Sequence, residues 1–465
     1  MNLPFHLSGL LSGFILLWSI KKYYQPFFRL SEASLKILNS LLLPEEDSSK
    51  IKTVEKNLVK LLGALGVFFL WILLLLMLAA IPIAVYSLIY HIPYSELDLD
   101  SWTYILSLSI GSLLPFIRFK KKEKLSYSEV SKLFHRLILD NYQLGKKLFA
   151  YDLKKFGKHE ALKEEFVIVS GLARAGTTAL MLKFNEIKNL KSLDYSNMPL
   201  LMAPNLWRKV YSPKSDQQKE RAHGDGIQVG LNSAEALEEY FFKLQLADSF
   251  IGDEEVEIHE ISDLQYQSYL QYQSLILKNK DDIYLAKNNN LILRYQSLRQ
   301  KNSKFKAIFM FREPISHAFS LLSQHRRYLE SQKSDPFVLE YMDWLGHHEF
   351  GLHQKSFALS GDSVLEGDKN SLDYWLMVWK NYYQYLLPFL ADPNVFLVDY
   401  SDFCSSPKQI LQQLTDGIGI DYNCPEFKAF HNDKKIEEAY SKEVFEACHS
   451  IFNELLNKKL KINSH

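Results

Sequence analysis

Cysteine is scarce in this chain of 465 residues. The three that occur, Cys404, Cys424 and Cys448, fall late and in no CxxC or Cys/His spacing, which argues against a disulfide framework and against a zinc site. An excess of either charge is missing too. Lys and Arg total 54 and Asp and Glu total 54, so no bulk field recruits nucleic acid or another polyanion, and a charged ligand must be held by a local site. The sequence has no evident internal repeat and no low-complexity stretch. The sharpest absence is local: from residue 61 to residue 92 there is no Asp, Glu, Lys or Arg.

A helix needs about 20 apolar residues to cross the hydrocarbon core of a bilayer, so residues 61–92 are expected to cross, with Pro82 as a kink. A second apolar run, residues 102–117, precedes Arg118, Lys120, Lys121 and Lys122, and reads as a second crossing or as a buried or interfacial helix. The link between the runs carries Glu96, Asp98 and Asp100, whereas Lys56 and Lys60 precede the first. By the positive-inside rule this is a hairpin with both ends cytoplasmic, which places the rest of the chain in the cytoplasm. Residues 5–20 are uncharged and end at Lys21 and Lys22. They lack a basic start and a small-residue cleavage pattern, and read as a third crossing or an interfacial helix, not as a cleaved signal. Helical apolar spacing over residues 30–43 and charge over residues 45–60 predict an amphipathic helix and a linker. The expected organisation is a membrane-anchoring helical region, residues 1–125, followed by a soluble domain, residues 126–465, since single cores stop growing near roughly 250–300 residues.

In the second region helical patterns alternate with short β-rich runs, which predicts an α/β fold with a central, mostly parallel sheet flanked by helices. Residues 166–170, 307–311 and 395–398 read as buried central strands. The first is followed by Gly171, Leu172, Ala173, Arg174, Ala175, Gly176, Thr177 and Thr178, then by a helical pattern. Strand, glycine loop and helix form a phosphate cradle: the backbone wraps the anion, the helix offers its free N–H groups, and Thr177, Thr178 and Arg174 add hydroxyls and charge. The spacing is that of a P-loop, but Thr177 stands where the nucleotide-hydrolysing signature has lysine. That disfavours ordinary ATP or GTP hydrolysis, which uses the lysine on the β- and γ-phosphates.

The loop resembles the 5′-phosphosulfate loop of sulfotransferases that use 3′-phosphoadenosine-5′-phosphosulfate (PAPS), typically R-S-G-T-T after a strand, with Ala175 in place of the serine. The second strand leads into Arg312, Glu313 and Pro314, with Ser320 eight residues after Arg312, similar to the family's 3′-phosphate site. The resemblance continues through Tyr374, Trp375 and Trp379 to Asp399, Tyr400 and Pro407, and covers about residues 165–421. It implies a P-loop-like sulfotransferase fold of the bacterial or carbohydrate type, with PAPS as co-substrate and no metal. It also implies cofactor contacts from Arg174, Ala175, Gly176, Thr177, Thr178, Arg312 and Ser320, and an acceptor bearing a hydroxyl or amine: a glycan, a lipid or a small molecule.

The acceptor side is expected among residues 192–199, 223–227 and 284–289. Sulfuryl transfer needs a base for the acceptor proton and a cation for the charge that develops on the bridging oxygen. Lys287 suits the second role, at a place where the family has a lysine after a strand. Asp194 and His223 are both candidates for the base; His223 reads equally as a residue that orients or binds the acceptor, and Asp225 as one that fixes the His223 tautomer or holds the glycine-rich turn. Glu235, Glu238 and Glu239 read as the solvated start of a helix. Two other readings stay open: a P-loop kinase or NTPase, and an inactive nucleotide-binding membrane scaffold.

Overall fold

The computed structural model describes residues 3–42, 47–116, 129–157, 162–211, 219–220, 228–229, 236–359, 365–422, 424–425 and 438–461. The chain divides into two compact units, Met1–Gln143 and Leu144–His465.

The first unit is helical. Its main elements are α1 (Leu3–Lys22), α2 (Gln25–Leu42), α3 (Asp47–Tyr90) and α4 (Trp102–Leu113). The expected linker over residues 45–60 is replaced by helix from Asp47 onward, because nothing between there and the apolar run breaks a helix: neither proline nor glycine occurs before Gly63. By length and composition, residues 3–22 and 51–90 are each long and apolar enough to cross a membrane. Along α3, Leu70, Leu73, Leu76 and Met77 are all exposed. The α4 helix is different. Its 12 residues span about 18 Å at the rise of an α-helix, short of the roughly 30 Å of a hydrocarbon core, and a 3₁₀ turn, Leu114–Phe116, follows. The expected second crossing is therefore not made by this helix alone.

α1 runs parallel to α4. Phe5 stacks on Tyr104, with ring centroids 4.6 Å apart, and Lys21 donates to the Pro115 carbonyl at 2.6 Å from the other end. Small residues allow this closeness: a β-carbon on Gly13 would strike the Leu108 carbonyl, and one on Gly111 the Leu10 carbonyl. Residues 5–20 are thus a packed member of the helical unit.

The second unit is built on five parallel strands. In chain order they are β1 (Phe166–Gly171), β2 (Leu190–Lys191), β3 (Ile283–Lys287), β4 (Lys306–Phe311) and β5 (Val395–Asp399), and their spatial order is β2-β3-β1-β4-β5. β1 is buried along its whole length and β4 at all but its first residue, which is why they read as apolar runs without alternation. The three expected strands each occur, longer by a residue at one end. Helices cover the sheet, among them α5 (Thr177–Phe184), α6 (Glu239–Leu246), α7 (Leu291–Lys301), α8 (Pro314–Ser334) and α9 (Leu372–Leu386). Val169 pairs with Lys287, Gly171 with Met310, and Phe311 with Asp399. This register brings the carboxyl ends of β3, β1, β4 and β5 side by side, the edge at which open parallel sheets hold their ligands.

Candidate active site

The loop after β1 turns tightly into α5. Gly171 and Gly176 have φ of 149° and 104°, values that a side chain rarely tolerates, and a β-carbon on Gly176 would also run into the Tyr400 ring. Arg174 shares the left-handed region at φ 71°, a strained position for a residue with a side chain. Ala175 is fully buried in the apolar cluster with Val169, Leu180 and Met310. A methyl therefore suits its surroundings better than the serine hydroxyl of the similar motif.

Two neighbouring strands complete the cradle. Lys287, the last residue of β3, is 6% exposed and its Nζ donates to Thr178 Oγ1 at 2.9 Å. A lysine of the adjacent strand thus meets a loop that has none of its own. On the other side β4 delivers Arg312, whose carbonyl accepts from Trp379 Nε1 at 3.2 Å, while the Met310 carbonyl accepts from the Tyr383 hydroxyl at 2.9 Å. The aromatic residues of α9 that the sequence singled out hence brace the end of β4.

α8 gathers the two arginine motifs. Pro314 begins it, and the Glu313 carboxylate caps it by accepting from the amides of Ile315 and Ser316 at 3.0 and 2.7 Å. Over its first two turns, Ser316 accepts from Arg312 Nε at 3.2 Å and Ser320 accepts from Arg174 Nε at 3.2 Å. His317, fully buried between them, lies 2.8 Å through Nε2 from the Ala173 carbonyl. Burial lowers its pKa to about 3, so the ring is neutral and Nε2 carries the proton that holds the loop. Burial, helped by the Arg174 charge, also lowers the pKa of Arg312 below its ordinary value. Two cations converge on one helix, and an anion between them would relieve their repulsion.

On the acceptor side the expected solvated helix start gives way to a buried polar core, for Glu238 and Glu239 are each 2% exposed. Glu239 binds Arg294 bidentately, with both N–O distances 2.6 Å, and Arg294 Nε donates to His259 Nε2 at 2.9 Å. Glu238 accepts from the hydroxyls of Tyr269 and Tyr284 at 2.6 and 2.8 Å, and Asn288 Nδ2 donates to both carboxylates at 3.0 Å. Burial pushes Glu238 above its ordinary pKa; Glu239 is pushed the same way, but the Arg294 charge outweighs it and leaves it below. The reason lies in α6, which is buried on every side from Glu239 to Leu244. Its run Tyr240, Phe241, Phe242 was the signal available in the sequence.

Asp194 caps a short 3₁₀ turn, Tyr195–Asn197: its Oδ1 accepts from the Ser196 amide at 2.8 Å and hydroxyl at 2.5 Å, and burial raises its pKa. His223, Asp225 and Glu235 lie outside the described residues. The structure thus brings together Arg174, Ala175, Gly176, Thr177, Thr178, Lys287, Arg312 and Ser320, and gives Asp194 a local capping role.

No family model matches this chain, and no curated protein matches it. Among solved structures it is similar to bacterial sulfotransferases. One from Mycobacterium tuberculosis H37Rv is 12% identical over 79% of this chain and 91% of its own, with a TM-score of 0.40. One from Mycobacterium avium is 13% identical over 80% and 94%, with a TM-score of 0.41, and one from Alicyclobacillus acidocaldarius is 12% identical over 63% and 92%, with a TM-score of 0.32.

Proposed function

We propose that this chain is a membrane-anchored sulfotransferase that moves a sulfuryl group from PAPS to an acceptor hydroxyl or amine, with its catalytic unit on the cytoplasmic side. The observation that carries this reading is the bond from Lys287 to Thr178, 2.9 Å long, which brings a cation from β3 to the mouth of a glycine loop that lacks its own lysine. A lysine placed there faces the oxygen that bridges sulfur and phosphorus. The loop amides, Thr177, Thr178 and Arg174 hold the 5′-phosphosulfate; Arg312 and Ser320 hold the 3′-phosphate. The acceptor atom attacks sulfur, the bond from sulfur to the 5′-phosphate oxygen breaks, and the electron pair stays on that oxygen, where Lys287 offsets it. The apolar helices of the first unit support a membrane anchor and, with it, a glycan or lipid acceptor reached at the bilayer surface.

Calorimetry with 3′-phosphoadenosine-5′-phosphate (PAP) and with ATP, combined with transfer of ³⁵S from labelled PAPS, tests this. PAP should bind, ATP should not compete, and label should move to an acceptor. Preference for ATP would point to a kinase or NTPase, and PAP binding without transfer to a scaffold. Within that assay Arg174→Ala and Arg312→Ala should each weaken PAP binding by roughly 10–150-fold, the equivalent of about 1.5–3 kcal/mol for a charge-assisted contact. Unchanged affinity in either variant would mean that α8 gathers the arginines for packing alone.

A further inference from the structure

The strand that supplies Lys287 continues into Asn288, Asn289 and Asn290, and these asparagines tie down a second loop. Asn290 Nδ2 donates to the Gly346 carbonyl at 3.2 Å and Asn289 Nδ2 donates to Glu349 Oε1 at 3.1 Å. The other oxygen of that carboxylate, Oε2, lies 3.5 Å from His347 Nδ1. Glu349 is nearly covered, its side chain 9% exposed, whereas His347 keeps 23% of its side chain open to solvent. Among the described residues His347 Nε2 has no hydrogen-bond partner. A nearly covered carboxylate fixed by an amide, a histidine ring nitrogen within ion-pair distance of it, and the second nitrogen open form the arrangement of an oriented general base. It stands at the carboxyl end of β3, where Asn289 follows Lys287 by two positions.

We propose that His347 is the general base of the transfer reaction and that Glu349 is its positioning residue. The assignment rests on the sulfotransferase reading. In the step, Nε2 takes the proton from the acceptor O–H or N–H as that atom bonds to sulfur. The bond from sulfur to the 5′-phosphate oxygen breaks, its electron pair leaves with PAP against Lys287, and the imidazolium later releases the proton to water. Glu349 keeps the proton of the neutral ring on Nδ1 and stabilises the imidazolium as it forms. The Glu349 carboxyl suits that role. Burial alone would raise its pKa, but His347 and the Asn289 hydrogen bond bring it down to about 2, so it stays ionised.

The test uses the full chain in lipid nanodiscs with ³⁵S-labelled PAPS, offering water and a total lipid and glycan extract as acceptors, and calorimetry with PAP in parallel. His347→Gln should lower label transfer by about 10²–10⁴-fold, the usual effect of losing a general base, with PAP affinity within about twofold of wild type. Glu349→Gln should lower it less, again with PAP affinity within about twofold of wild type, so that the loss falls on turnover and not on binding. A His347→Gln enzyme that transfers within about threefold of wild type overturns the assignment. So does one whose PAP affinity and turnover fall together, since that marks a structural role. A wild-type chain that binds PAP but transfers label to neither water nor the extract also overturns it. Wild-type chain that fails to bind PAP would sink the sulfotransferase reading itself, and the calorimetry separates that result from the others.

Discussion

Lys287→Met is expected to lower the rate of sulfuryl transfer by about 10²–10³-fold, the effect of removing one preorganised donor from a developing oxyanion. PAP affinity should change by less than about threefold, because the contact strengthens only as the bond to sulfur breaks. Methionine is chosen because Lys287 is buried at the end of β3, so its stem fills space that alanine would leave empty. The control is Thr178→Val. It removes the hydroxyl that accepts from Lys287 Nζ but leaves the charge, and should lower the rate far less than the loss of the lysine does. Single-turnover transfer of ³⁵S and calorimetry with PAP give the two quantities separately. If Lys287→Met and Thr178→Val lowered the rate equally, the lysine would serve to pin β3 to the phosphate loop and not to meet charge on the leaving oxygen.

Much of this cradle was legible in the sequence because its parts are local. A strand, a glycine turn and a helix follow one another within residues 166–184, and Arg312 and Ser320 lie on a single strand-to-helix junction. The contact between Lys287 and Thr178 was not legible, since it depends on β3 lying beside β1 in the sheet, and 109 residues separate the partners. The same holds for the bond between Arg174 and Ser320, across 146 residues. Glu239 reads as solvated when its charge is weighed alone. Its partner Arg294 sits 55 residues later on a helix whose own pattern is polar, and no local periodicity announces a buried pair. The dyad of His347 and Glu349 hid for a related reason: their two-residue spacing means little until Asn289, two positions past Lys287, anchors the carboxylate. In the helical unit, the long apolar run marked α3, but the end of a crossing depends on where the helix stops, and α4 stops after 12 residues.

Breaking the pair of Arg294 and Glu239 should be the most damaging single change to folding in the catalytic unit. Arg294 is 1% exposed, its guanidinium lies 4.0 Å from the Phe242 ring, and it is the counter-ion of a carboxylate 2% exposed. Arg294→Met keeps the stem but strands Glu239 without a charge partner. Removing one member of a buried ion pair costs about 3–5 kcal/mol, a large share of the stability of an ordinary domain. Adding Glu239→Gln should recover most of that loss, because the stranded charge is then gone and Asn288 Nδ2 still has an oxygen to donate to. Denaturant unfolding of the catalytic unit, followed by the fluorescence of its buried tryptophans Trp375 and Trp379, measures both variants. The pH dependence sharpens the test. In the wild type the Glu239 pKa lies below 4.5, so its stabilising contribution is present above that value and is lost as pH falls through the lower folded value. In Arg294→Met burial acts unopposed by the arginine and raises the pKa, so the folded state is penalised above the ordinary value and the penalty fades in acid. Acidification should therefore narrow the gap between the two proteins. A gap that widened in acid, or a single variant that lost less than about 1 kcal/mol, would show that Asn288, Tyr269 and Tyr284 hold the two carboxylates without the arginine.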